Sequence, residues 1–403
     1  VINFVLAAVP LNFTAAVPAA LLLCTLLGLL PGAASAATTL TIDLDAAAVG
    51  PGKFAAAEIL REAAANPPAG AIRIALTVAA PAGAKAVAQS YGIRVRREND
   101  QRTITVRGAD AAGVMYGGLD MAEAIRTGTL DSLKDSDHTP HIAQRGIKFN
   151  IPLDLRTPSY TDPSDAAQAN IPEMWSMDFW REFLDDMARH RFNVLSLWSL
   201  NPFPSIVKVP EFPHVALDDV WRTKVKLDEN FSSNGNNFVR PEMLANHEVV
   251  KKITINEKIQ FWRDVMQLAQ DRGVDVYWFT WNVFLNGAEG KDGITSDKTA
   301  PRTIEYFRAS VRETIKTYPL LAGFGITAGE GMPLGDFKKI SKEQWLWKTY
   351  GQGIRDGLKD APDRKFRLIH RFHMTALGEI QKEFAELPCP LDLSFKYAVA
   401  HMY

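Results

Sequence analysis

Cysteine is nearly absent: the 403 residues contain two, Cys24 and Cys389. No disulfide framework can be built from them, which excludes the small cross-linked secreted scaffolds. An excess of charge of one sign is missing too, since 45 Lys plus Arg stand against 46 Asp plus Glu. Such a chain has no basic field to hold a polyanion by counterion release, so nucleic acid is not an expected partner. No His, Cys, Asp and Glu set shows metal-ligand spacing, and neither a metal nor another cofactor is expected. The apolar run at residues 19–30 is too short to span a bilayer comfortably.

Behind that run, Ala34-Ser35-Ala36 has the small-x-small pattern of a signal-peptidase site. Residues 1–36 are therefore expected to be a signal peptide. The rest would be exported to the periplasm or beyond, with no stable membrane insertion once the signal is gone. Neither an initiator Met nor a Lys or Arg precedes the run.

With 47% hydrophobic residues, the chain has material for two cores. The first, over residues 38–140, reads as an α+β domain. A strand at Thr39–Leu44 leads to an Ala-rich helix around 54–65 and a strand at Ile72–Leu76. Tyr91–Arg96 and Thr103–Gly108 alternate apolar and polar residues around the turn-forming Glu98-Asn99-Asp100, as a hairpin does. A helix from Val114 to Arg126 follows.

From His141 the rhythm changes to strands alternating with long helices, the pattern of βα units on a parallel sheet. Strands are expected at 145–149, 192–197, 274–280, 322–327, 366–371 and 391–396. Helices are expected at Phe179–His190, Glu257–Arg272, Arg302–Tyr318, Glu343–Leu358 and Ala376–Leu387, with Phe261, Val265, Leu268 and Ala269 on one apolar stripe. Residues 201–250 read as a long irregular insertion. The fold class is thus α/β, a (β/α)₈ TIM barrel over 141–403 with about six of its eight strands present, which implies a gene product truncated at its C-terminus. A doubly wound sheet is disfavoured because no Gly-rich phosphate turn follows the first strand.

In a barrel, reactive groups sit just past the C-terminal ends of strands. That test selects Arg156 after the first strand, Trp198 after the second, Trp281 and Asn282 after the third, Glu330 after the fourth, Arg371 and His373 after the fifth, and Lys396 and His401 after the sixth. Indoles, amides and charges in one mouth suit a sugar, whose faces stack on aromatics and whose hydroxyls take hydrogen bonds. Glu330 lies in Gly329-Glu330-Gly331, a turn that lets a carboxylate project with backbone close by. Partial desolvation there would raise its pKa until it served as a general acid. On position alone a solvated turn carboxylate fits equally well. A salt bridge fits Arg371 as well as a bidentate grip on a substrate carboxylate does.

Ile104-Thr105-Val106-Arg107-Gly108-Ala109-Asp110-Ala111-Ala112-Gly113-Val114-Met115-Tyr116-Gly117 resembles the N-terminal domain shared by the α-glucuronidases of glycoside hydrolase family 67 and the β-hexosaminidases. Arg145-Gly146-Ile147, Phe179-Trp180 and Arg191-Phe192-Asn193-Val194 resemble the opening of the barrels in both groups. The resemblance implies Glu330 as general acid, Arg371 as the arginine that binds a uronic carboxylate, and Lys396 as the sixth-strand lysine. The family's catalytic Asp would fall where this chain has His401, which makes His401 the visible candidate for activating water. Trp198, Trp281, Asn282, Arg156 and His373 would complete the substrate site. The implied activity is release of a uronic acid from a plant or algal polysaccharide such as xylan, or from its oligosaccharides. A β-N-acetylhexosaminidase-like glycosidase is the alternative, although the Asp that such enzymes place before the acid is Gly329 here. A non-catalytic carbohydrate-binding relative is the other.

Overall fold

The computed structural model describes residues 39–80, 87–98, 101–159, 164–227, 238–328, 332, 337 and 340–395, and the backbone alone of 2–6. The apolar run, the Ala34-Ser35-Ala36 pattern, Glu330, Lys396 and His401 lie outside these residues. The chain divides into two compact units, one comprising Val1–Arg145 with Met187–Arg191 and Gln270–Gly273, the other the remainder.

The first unit is a mixed sheet with two helices. Its strands are β1 (Ile2–Leu6), β2 (Thr39–Leu44), β3 (Ala71–Val78), β4 (Tyr91–Glu98), β5 (Gln101–Gly108) and β6 (Ser136–His138), in the order β1-β2-β3-β5-β4-β6. β2, β3 and β5 run parallel, and β4 returns antiparallel to β5 as the expected hairpin. Alternation puts Ile42, Ile74, Ile104 and Val106 into the core, where helices α1 (Pro51–Ala65) and α2 (Ala111–Arg126) contribute Ile59 and Met115. The Asp110 carboxylate caps α2, accepting from Gly113 N at 2.8 Å.

The second unit carries six parallel strands: β7 (Gly146–Asn150), β8 (Val194–Ser199), β11 (Asp275–Thr280), β12 (Leu321–Thr327), β13 (Arg367–Phe372) and β14 (Leu391–Phe395). Each pairs with the next in chain order, the half-barrel arrangement of a partial TIM barrel. Between β8 and β11 lies an antiparallel pair, β9 (Val220–Thr223) with β10 (His247–Lys251). Helices α3 (Asp165–Asn170), α4 (Met177–Arg189), α5 (Phe203–Ile206), α6 (Pro241–Ala245), α7 (Ile255–Gln270), α8 (Pro301–Thr317), α9 (Lys342–Leu346), α10 (Gln352–Leu358) and α11 (Leu377–Glu383) complete it.

Register partners in a parallel sheet share a face. One face is the row Phe149, Leu197, Trp278, Phe324 and Leu368. It is covered by helix side chains: Phe149 lies 6.0 Å from the Trp180 ring, Trp278 5.1 Å from Trp262, and Phe324 6.3 Å from Tyr350. Each such ring contributes roughly 1.5–3 kcal/mol by leaving water, which fixes the sheet face that the helices cover.

Three expectations need correction. The stripe on α7 centres on Ile259, Trp262, Val265, Met266 and Ala269, with Phe261 and Leu268 on its flanks. The expected helix Glu343–Leu358 contains a π-turn, Trp347–Gly351, between α9 and α10, where a Cβ on Gly351 would lie 2.1 Å from the Trp347 ring. The insertion 201–250 is not irregular throughout, since β9, β10, α5 and α6 give its described part a framework.

Candidate active site

The opposite face of the half-barrel reads quite differently. Its first row is Lys148, Ser196, Tyr277, Gly323 and Arg367; its second is Asn150, Trp198, Phe279, Gly325, Ile369 and Asp392; its third is Thr327, Arg371 and Ser394. Cations, hydroxyls, amides and aromatic rings thus share a surface that ends at the C-terminal edge of the strands.

Trp198 is its centre. Phe279 stacks on it at 4.3 Å, Trp281 lies at 4.8 Å, and the indole Nε1–H donates to Ser196 Oγ at 3.1 Å. The Ser196 hydroxyl in turn donates to the Ile147 carbonyl at 3.2 Å. Lys148 Nζ sits 4.4 Å from the Trp198 ring and 5.4 Å from Trp281, and the Arg371 guanidinium carbon 5.6 Å from Trp198. Two cations from β7 and β13, strands on either side of Trp198, therefore meet on one aromatic floor, each attracted by about 0.5–2 kcal/mol. Trp198 and Trp281 are only 6% and 1% exposed. In this arrangement they form the floor beneath the cations.

The floor exists because β12 carries glycines at its inward positions. A Cβ on Gly325 would lie 2.0 Å from Phe279 Cδ1, and one on Gly323 2.9 Å from the Tyr277 ring. Both aromatic rings lie across the strand where side chains would otherwise stand. Desolvation, and then the Asp275 carboxylate, push the Tyr277 phenol up to about 12.

The edge of the mouth is tied by buried amides and carboxylates. Asn282 is fully buried in the left-handed conformation, at φ 57°. Its side-chain Oδ1 accepts from Thr327 N at 3.2 Å while its Nδ2 donates to the Thr327 carbonyl. Asn282 therefore holds the residue that ends β12, three positions before Glu330. Glu343, at the start of α9, is wholly buried, accepting from Thr375 Oγ1 at 2.5 Å and lying 2.8 Å from His370 Nε2. His370 faces the helix side and precedes Arg371, so this carboxylate links α9 to the loop that carries His373. His373 itself is half-buried in that loop.

Arg156 belongs to a second cluster. The Asp154 carboxylate, shielded from solvent, accepts from Arg156 Nε at 2.7 Å and Nη2 at 2.9 Å, and Nη2 also donates to the Asp218 and Asp219 carbonyls. The guanidinium lies 3.9 Å over the Trp221 ring, whose other partner, His247, stacks at 3.8 Å. Arg156 and Trp221 line a cavity of about 650 Å³ together with Val239, Leu244, Phe284 and Lys291. Val239 and Phe284 also pack against the Trp198–Trp281 cluster, so the cavity adjoins the mouth.

Of the residues expected from sequence, Trp198, Trp281 and Arg371 come together, Arg156 sits beside them across Val239 and Phe284, and Asn282 is built into the wall. Lys148 and Glu343 were not anticipated. Ile147-Lys148-Phe149-Asn150 alternates as a strand does, and a lysine on the face opposite a half-buried Phe was a signal that could have been read. Glu343 had none, because its partners His370 and Thr375 are joined to it only by the fold. Among the described residues no three His, Cys, Asp or Glu side chains converge as a metal site would require, and no helix is long and apolar enough to cross a membrane.

No protein-family model matches the sequence, and no curated protein matches it. Solved structures do. An enzyme of glycoside hydrolase family 138, described as targeting pectin rhamnogalacturonan II, superposes with a TM-score of 0.64 at 20% identity, covering 88% of this chain and 38% of that enzyme. The chain therefore spans little more than a third of that enzyme's length. A chitobiase of Flavobacterium johnsoniae (TM-score 0.49, 14% identity, 90% of this chain and 52% of that one) and a mutant β-hexosaminidase of Streptomyces plicatus (0.47, 14%, 88% and 69%) are more distant. The likeness is not specific to family 67. The chain carries a glycoside hydrolase-like fold, a mixed α/β unit followed by a six-stranded parallel half-barrel.

Proposed function

We propose that this protein is a glycosidase that releases a uronic acid from a plant or algal polysaccharide or its oligosaccharides. The observation that carries the reading is the half-barrel face opposite the Trp180, Trp262 and Tyr350 side, where Lys148 and Arg371 converge on the Trp198–Trp281 floor. A carboxylated sugar needs cations for its charge and a largely dry, ring-lined cleft for its body. The family 138 likeness agrees with such a reading at the level of fold.

In the mechanism we propose, Glu330 donates its proton to the glycosidic oxygen as the bond to the anomeric carbon breaks. A water then adds to that carbon and gives up a proton, which His401 accepts. For an inverting reaction the two groups would stand roughly 6.5–9.5 Å apart. Arg371, with Lys396, holds the sugar carboxylate. Asn282 acts on Glu330 through Thr327, and His373 borders the sugar.

Kinetics on aryl glycosides test the proposal. Glu330→Gln should lower kcat on an aryl uronide by about 10²–10⁴-fold. Arg371→Met should raise KM for the uronide far more than for the matching neutral glycoside. Unchanged turnover in Glu330→Gln would remove the acid assignment, and wild-type cleavage of N-acetylhexosaminides in place of uronides would replace the substrate.

A further inference from the structure

The cavity beside the mouth contains more positive charge than its surroundings use. Arg156 is held rigidly by Asp154 through Nε and Nη2 and stacked on Trp221, yet its Nη1 bonds no described residue. The ammonium of Lys291, half-buried in the same cavity, makes no hydrogen bond or ion pair to a described residue. Desolvation first, then the Arg156 charge, hold its ammonium below the ordinary lysine range against the opposing pull of Asp292. Asp154 meets the Arg156 charge and Glu289 also lines the cavity, but no described carboxylate forms an ion pair with the Lys291 ammonium, and a half-buried ammonium with no partner of its own costs stability unless a ligand uses it.

The walls narrow the class of ligand. A volume of about 650 Å³ exceeds what a bare inorganic ion fills and suits one or two sugar rings. Val239, Leu244 and Phe284 present apolar surface for the C–H faces of such rings. Because Val239 and Phe284 also border the Trp198 cluster, the cavity lies next to the mouth, where a neighbouring sugar unit could be held.

The geometry points to this cavity as a second saccharide subsite, in which Arg156 and Lys291 clamp the carboxylate of an acidic sugar unit distinct from the one held at Arg371. The choice of a sugar as occupant rests on the carbohydrate reading above, and it deepens that reading: the substrate would be an oligomer with at least two carboxylated units.

The test is calorimetric titration of the full chain with trigalacturonate, with maltotriose as its neutral counterpart. Trigalacturonate is expected to bind and maltotriose to bind at least tenfold more weakly. Lys291→Met should weaken trigalacturonate at least tenfold, Lys291→Arg should retain most of the affinity, and in Arg371→Met the remaining binding should still depend on Lys291. Protection of Lys291 from acetylation by trigalacturonate, read by mass spectrometry on the unmutated protein, tests the contact without a variant. Equal affinity for both trisaccharides, or no response to Lys291→Met together with no protection, overturns the subsite. Lys291-dependent binding in a protein that cleaves no uronide would leave the subsite standing while the proposed activity falls.

Discussion

Lys258 shows how much a single side chain can commit to holding a loop. It is completely buried, and its ammonium donates to the Leu217 carbonyl at 2.9 Å and the Asp219 carbonyl at 2.5 Å, 5.2 Å from the Trp175 ring. Asp219 also accepts from Arg156, so this lysine supports the turn on which the cavity's guanidinium rests. Desolvation pushes its pKa down to about 8 from the ordinary lysine value of 10.5. Between those two values the unfolded chain binds a proton that the folded chain has released, so this group's contribution to stability rises as pH increases from 8 toward 10.5 and is lost as pH falls through 8. We expect denaturant unfolding of the wild type to gain roughly 2–4 kcal/mol over that window relative to Lys258→Met. Parallel curves for the two proteins would contradict the assignment. None of this is legible from Asn256-Glu257-Lys258-Ile259, where a lysine in a helix reads as solvent-facing.

At the scale of elements, β12 matters most. Its pattern Leu321-Ala322-Gly323-Phe324-Gly325-Ile326-Thr327 alternates glycine with large apolar residues, so the strand was readable and so was its helix-covered side. What the glycines admit was not, because Tyr277 and Phe279 come from the neighbouring strand. Gly325→Ala should force Phe279 off the Trp198 ring, with an overpacking cost of about 1–3 kcal/mol. The melting temperature should fall by several degrees and the tryptophan emission should shift. A variant with unchanged melting and emission would show that the stack tolerates the methyl group. Similar reasoning separates α4, α7 and α8, whose existence followed from periodicity, from the π-turn at Trp347–Gly351, which depends on a ring lying over Gly351.

For the whole molecule, the near-zero net charge means that any attraction for an acidic glycan is local. Screening acts over about 10 Å at 0.1 M salt, and only a few cations line the mouth and cavity. Trigalacturonate affinity should therefore fall by no more than about tenfold between 50 and 500 mM NaCl. A loss of a thousandfold, as many released counterions would produce, would mean that a much wider field binds the ligand.

The order of elements, the parallel strands and the strand ends where chemistry gathers were present in the chain, since they follow from the period of apolar residues and from turn chemistry over a few neighbours. Periodicity cannot say which side chains from distant strands share a face, or what they do there. Asn282, expected to touch substrate, clasps Thr327 across 45 residues, and Arg371 meets Lys148 over an indole contributed by a third strand. Those relations are decided by sheet register, which only the packed structure sets, because moving a strand by one residue would send each of these groups to the helix-covered side.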